Sequence, residues 1–67
     1  MLSARNQFEG TIKSIKRGAV MAEVVVVANG LEFVAAITVG SVKSLKLKKG
    51  DTVKIIVKAT EVMVAKD

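Results

Sequence analysis

The sequence predicts an all-β fold, a small five-stranded barrel with one short helix, forming a single domain over residues 1–67. Three observations carry that expectation. Short alternating or β-branched runs recur between turn signals, the one stretch with helical spacing is only a turn or two long, and no linker, repeat or low-complexity segment divides the chain.

Residues 7–15 alternate, with Phe8, Gly10, Ile12 and Ser14 on one face and Gln7, Glu9, Thr11 and Lys13 on the other, as a half-exposed strand does. Lys16, Arg17 and Gly18 supply the turn. Residues 19–28 contain four consecutive valines, Val24 to Val27, and such a β-branched run reads as a strand buried on both faces. Asn29-Gly30 is a two-residue hairpin signal, since both positions tolerate positive φ, and residues 31–38 form the returning strand. In residues 40–47, Ser41 is placed to cap a short helix whose Val42 and Leu45 point to one side. After a turn at Lys49-Gly50-Asp51, Val53, Ile55 and Val57 alternate with Lys54, Ile56 and Lys58 in a fourth strand. The chain bends at residues 58–60, and the apolar residues 62–65 complete the count as a fifth strand or edge segment. Five strands with a helix after the third match an OB-like barrel better than a sandwich, which needs more strands.

A 67-residue chain barely encloses enough apolar surface to offset its conformational entropy. With no cysteine and no histidine, disulfides and a structural transition metal are closed as supports. Association is the remaining route. Composition agrees, because 51% of residues are hydrophobic and only two, Phe8 and Phe33, are aromatic, an aliphatic surplus suited to cover by another subunit. The longest apolar runs, residues 24–28 and 33–37, are far shorter than the roughly 18 residues of a membrane span. No long apolar region follows Arg5 and Asn6, so no signal peptide is read and the cytoplasm is the expected compartment. The net charge of +5 calls for an anionic partner, either nucleic acid or a small oxyanion.

Catalytic chemistry has few candidates, because histidine, cysteine and tyrosine are all absent. The carboxylates Glu9, Glu23, Glu32, Asp51, Glu61 and Asp67 are dispersed and read as solvated surface charge. The chain is therefore expected to be a binding protein. Its informative residues lie near the two ends. Ser3-Ala4-Arg5 places a hydroxyl and a guanidinium at i and i+2, on one side of an extended segment, and Lys58-Ala59-Thr60 repeats the arrangement with an ammonium and a hydroxyl. Glu61 is expected on the side opposite Thr60. An all-donor set of this kind suits a fully ionised tetrahedral dianion, sulfate, molybdate or tungstate, whereas phosphate keeps a proton near neutrality and calls for an acceptor.

The order of motifs also resembles the molbindin (Mop) family. Ser3-Ala4-Arg5-Asn6-Gln7 with Phe8 and Gly10 looks like its opening signature. Gly18-Ala19-Val20, Ala22-Glu23-Val24, Ile37-Thr38, Ser41-Val42, Leu45 and the closing Lys58-Ala59-Thr60-Glu61-Val62-Met63 are similar to it in the same order. The resemblance implies an OB-like domain that binds molybdate or tungstate without catalysis, for intracellular molybdenum storage or homeostasis. It implies that Ser3 and Arg5 of one subunit meet Lys58, the Ala59 amide and Thr60 of another, with backbone amides added around Thr38, Ser41 and Val42. It further implies a homo-oligomer, a hexamer built as a trimer of dimers. The chain departs from the family at Lys46, where glycine is common, and keeps a hydroxyl at Thr60, where some members have serine. The competing reading is a basic OB-like nucleic-acid-binding module, which the near absence of aromatic stacking platforms disfavours. A purely structural assembly module is disfavoured by the intact donor set.

Overall fold

The computed structural model describes residues 5–66. Four strands, β1 (Asn6–Arg17), β2 (Met21–Ala28), β3 (Leu31–Thr38) and β4 (Thr52–Val57), form one antiparallel sheet in the order β3-β2-β1-β4. A six-residue helix, α1 (Val39–Ser44), follows β3, and a single 3₁₀ turn, Ala59–Glu61, follows β4. The fold is thus mostly β with one short helix, and the sheet is coiled but not closed. The expected fifth strand does not form: residues 62–65 pair with no strand among the described residues, and β3 and β4 remain edges. Hydrophobicity suits residues 62–65 to a strand, but strand formation also needs a free edge within reach.

β1 pairs with β4 over its first half, Asn6 to Thr11, and with β2 over its second, Thr11 to Arg17. The changeover has two causes. Gly10 is one, since a Cβ there would stand 2.6 Å from the Val27 carbonyl oxygen and 2.8 Å from Val26, so only glycine lets β2 come this close. A bulge is the other: the β1–β2 register slips between Ile12 and Ser14, which kinks the strand and reverses its faces. Ser14, expected on the core face with Ile12, therefore points outward, and Ile15 turns in. The 48–51 turn braces the kink, with Gly50 N–H donating to the Ile12 carbonyl at 2.9 Å and Ile12 N–H to the Asp51 carbonyl at 2.9 Å. β1 then runs on through Arg17, so the turn lies later than expected, at Gly18 to Val20, closed by Gly18 N–H to the Met21 carbonyl at 2.8 Å.

The four-valine run is covered on one face only. Ala22, Val24, Val26 and Ala28 are buried, while Val25 is half-buried and Val27 exposed, because a single sheet layer has one inner face. Asn29 (φ 52) and Gly30 (φ 75) make the expected tight turn. Ile12, Ala22, Val24 and Val26 meet Val42, 1% exposed, which α1 delivers to the core. Thr38, and not Ser41, caps this helix: its hydroxyl accepts from the Ser41 amide at 3.0 Å. The helix ends with Leu47 N–H on the Val42 carbonyl at 3.0 Å and Lys46 N–H on the Lys43 carbonyl at 3.1 Å, an arrangement that needs a left-handed residue between them. Lys46 supplies it at φ 54. The chain then leads Leu47 into the core and leaves Leu45, expected beside Val42, exposed.

The resulting molecule is open for its size. It exposes 5566 Å² where a compact monomer of this length exposes roughly 4,100 Å², and its radius of gyration of 12.7 Å exceeds the value of about 11 Å for a compact domain.

Two substitutions check these assignments. Gly10→Ala forces β2 away from β1 and is expected to lower stability by about 1–3 kcal/mol in urea denaturation at fixed protein concentration. Lys46→Gly relieves the left-handed strain and should raise stability by about 0.5–1 kcal/mol, the part of the strain not cancelled by a freer unfolded chain.

Candidate functional site

Along the β1–β4 ladder, each step back in β1 is a step forward in β4, from Thr11 opposite Thr52 to Asn6 opposite Val57. One step beyond the last pair of that register lie Arg5 and Lys58, whose backbone (φ −66, ψ 141) is still extended, so the two lead toward the same sheet end of one chain, whereas the resemblance implied that they come from different subunits. Both are exposed, and both follow the outward parity of Gln7 and Ile56. Asn6 holds the strand ends together, its Nδ2 donating to the Val57 carbonyl at 3.1 Å. Two like charges side by side at a sheet end repel, so an anion between them removes a cost as well as adding a contact. Reasoning from sequence gave Asn6 no such role. A signal was present, since asparagine is a poor strand residue and one at the start of a strand invites a specific side-chain task.

Ala59 and Thr60, both exposed, lie in the 3₁₀ turn, closed by Glu61 N–H on the Lys58 carbonyl at 2.8 Å. The expectation that Lys58 and Thr60 share one side of an extended segment fails here, because the chain bends as soon as it leaves Lys58. Glu61, expected to face away, instead sits one turn after Lys58. Ser3 lies outside the described residues.

Thr38, Ser41 and Val42 are elsewhere. Thr38 pairs with Met21, next to Ala22, which pairs with Arg17. The start of α1 is therefore at the opposite end of β1 from Arg5 and Lys58, and no single anion bridges both groups within one chain. Part of the donor set at α1 is also engaged: the Ser41 amide is held by Thr38, the two hydroxyls are 2.8 Å apart, and the Val39 amide donates to the Val20 carbonyl at 2.8 Å.

Other polar and aromatic groups have structural tasks. Glu32 pairs with Lys13 at 2.7 Å on the outer face, and the Asp51 carboxylate accepts from the Lys48 amide at 3.1 Å. Phe8 and Phe33 stack on each other at 5.5 Å and are half-buried, so neither is a free platform for a nucleic-acid base.

A family model, the TOBE domain, matches residues 2–64. The chain is 41% identical over 64 residues to molybdenum-pterin-binding protein 2 of Clostridium pasteurianum, covering 94% of each. Among solved structures it is similar to a molybdate binding protein from Sporomusa ovata, with TM-score 0.95, 50% identity and 98% of both chains covered. It also matches ModG, a cytoplasmic molybdate-binding protein solved with molybdate bound, with TM-score 0.83 and 44% identity over 87% of this chain and 42% of that one.

The role given to Asn6 is open to test by Asn6→Ala. Loss of its bond to Val57 should cost about 1 kcal/mol and speed amide exchange at the Asn6–Val57 end of the ladder, while exchange at the braced Ile12 stays as it was.

Proposed function

Because this chain belongs to the TOBE-domain family, and within it to the molybdate-binding molbindins, we propose that it binds molybdate or tungstate, without catalysis, at sites shared between subunits. The observation that supports this reading is the β1–β4 register, which ends at Asn6 opposite Val57 and leads the exposed Arg5 and Lys58 toward the same sheet end. Arg5 offers a planar fork of donors and Lys58 a compact charge. The Ala59 amide, the Thr60 hydroxyl and Ser3 add neutral donors. Fixed positive charge offsets the cost of removing a dianion from water.

The separation of the donors supports the shared location. Arg5 and Lys58 lie at one end of β1 and Thr38, Ser41 and Val42 at the other. If both groups serve one anion, they come from different copies. The large exposed surface supports the same conclusion, and a hexamer built as a trimer of dimers satisfies it with closed symmetry. The reading is completed by a single Mop-like domain over residues 1–67, acting in the cytoplasm in molybdenum storage or homeostasis. With no histidine, cysteine or tyrosine in the chain, acid–base and nucleophilic catalysis lack their usual groups.

Calorimetric titration with molybdate, tungstate, sulfate and phosphate tests the proposal. Heat is expected with the first two, Arg5→Ala and Lys58→Ala should each weaken binding by about tenfold or more, and the melting temperature should climb with molybdate concentration. Equal response to sulfate would reduce the assignment to general anion binding. An unchanged melt at saturating molybdate and tungstate would remove it.

A further inference from the structure

Residues 43–50 hold four lysines and no carboxylate. Lys43, Lys46, Lys48 and Lys49 are all exposed, and among the described residues none of them forms a salt bridge. The next acid along the chain, Asp51, gives its carboxylate to the Lys48 amide at 3.1 Å and not to an ammonium. The segment is also fixed in place. Leu47 N–H donates to the Val42 carbonyl at 3.0 Å, Asp51 N–H to the Lys48 carbonyl at 3.1 Å, and Gly50 N–H to the Ile12 carbonyl at 2.9 Å. These bonds tie the segment to α1 at one end and to β1 at the other, so the four charges stand on a set backbone.

We propose that this surface docks an acidic segment of another protein. It is separate from the Arg5 and Lys58 end of the sheet, since residues 48–51 precede β4 and Lys58 follows it, six residues or about 20 Å of strand away. A partner seated on the lysines therefore leaves that end open, and the proposal does not depend on which anion binds there.

The position of Lys46 favours a docking role over simple solvation. Lys46 stands at φ 54, a conformation in which a side chain is strained and glycine is not. Solubility is served by a charge at any relaxed exposed position, whereas a docking surface needs its charge where the partner lies. The choice of residues favours carboxylates over a phosphate backbone. Between residues 38 and 54 there is neither an aromatic ring nor an arginine, the groups that stack on bases and fork onto phosphates. Lysine ammoniums are compact, hydrated charges that attract carboxylates without fixing one geometry, which suits a contact that forms and releases quickly. Leu45, 66% exposed within the same segment, adds an apolar contact for a protein side chain.

The test titrates a short polyglutamate peptide, and separately a thymidine oligonucleotide of equal charge, into the ¹⁵N-labelled full chain. Amide shifts with the peptide are expected at residues 43–50 and should fade as salt is raised. Lys48→Gln with Lys49→Gln should weaken peptide binding about fivefold. Lys16→Gln with Arg17→Gln removes the same charge elsewhere and should weaken it by less than about twofold. Lys46→Gly should weaken it about twofold while making the fold more stable, which separates loss of the contact from loss of structure. Equal weakening in the two double variants, or shifts spread over every basic residue, would show only the attraction of a chain of charge +5 and overturn the inference. Tighter binding of the oligonucleotide would overturn it in favour of nucleic acid, and the absence of shifts at low salt would remove the docking surface altogether.

Discussion

A side chain at position 10 would occupy space already held by the Val27 carbonyl oxygen and the side chains of Val26 and Ala28, and the rest of the structure depends on that close approach. With hydrogen in place of Cβ, β1 can leave its pairing with β4 and take up pairing with β2 within a few residues, the bulge after Ile12 completing the turn from one to the other. One strand thereby belongs to both halves of the sheet. This coiling encloses Ile12, Val24 and Val26 in a core of small aliphatic side chains that α1 closes with Val42. It also gives β1 two ends with separate tasks, one beside β4 and one beside the start of α1.

Charge placement follows from the same geometry. The ladder that fixes β1 against β4 ends at Asn6 and Val57 and leads the exposed Arg5 and Lys58 toward the same sheet end, where like charges repel unless an anion lies between them. The Thr60 hydroxyl and Ala59 amide lie on a bend, where backbone direction changes within one residue. Binding and assembly are coupled under this reading, since a ligand that recognises only the associated form stabilises it by mass action.

The exposed aliphatic surface is the third consequence of a short chain coiled into one layer. A single sheet covers one face, and the outward residues of β2 and β3 remain apolar at Met21, Val27 and Val34. Residues 62–64 add more. Such a surface is costly in water and favours cover by another apolar surface.

Much of the fold was legible in sequence because it depends on local chemistry. Strand alternation, the Asn29-Gly30 turn, the brief helix and the fourth strand are each set by residues within a few positions of one another, and the donor-rich, acceptor-poor ends of the chain pointed to a dianion before any coordinates. Family motifs added molybdate to that. What sequence left undetermined involves partners distant along the chain. The bulge that turns Ser14 outward is set by where β2 approaches Gly10, and the one-sided burial of the valine run by the absence of a second layer. The fifth strand had the right hydrophobicity, but after the 3₁₀ turn residues 62–65 join neither open edge. Sequence by itself determined which residues want to be covered and which are rich in donors. Tertiary structure decided that the Asn6–Val57 end of the sheet lies apart from Thr38, because strand register, unlike composition, is fixed only when the strands pair.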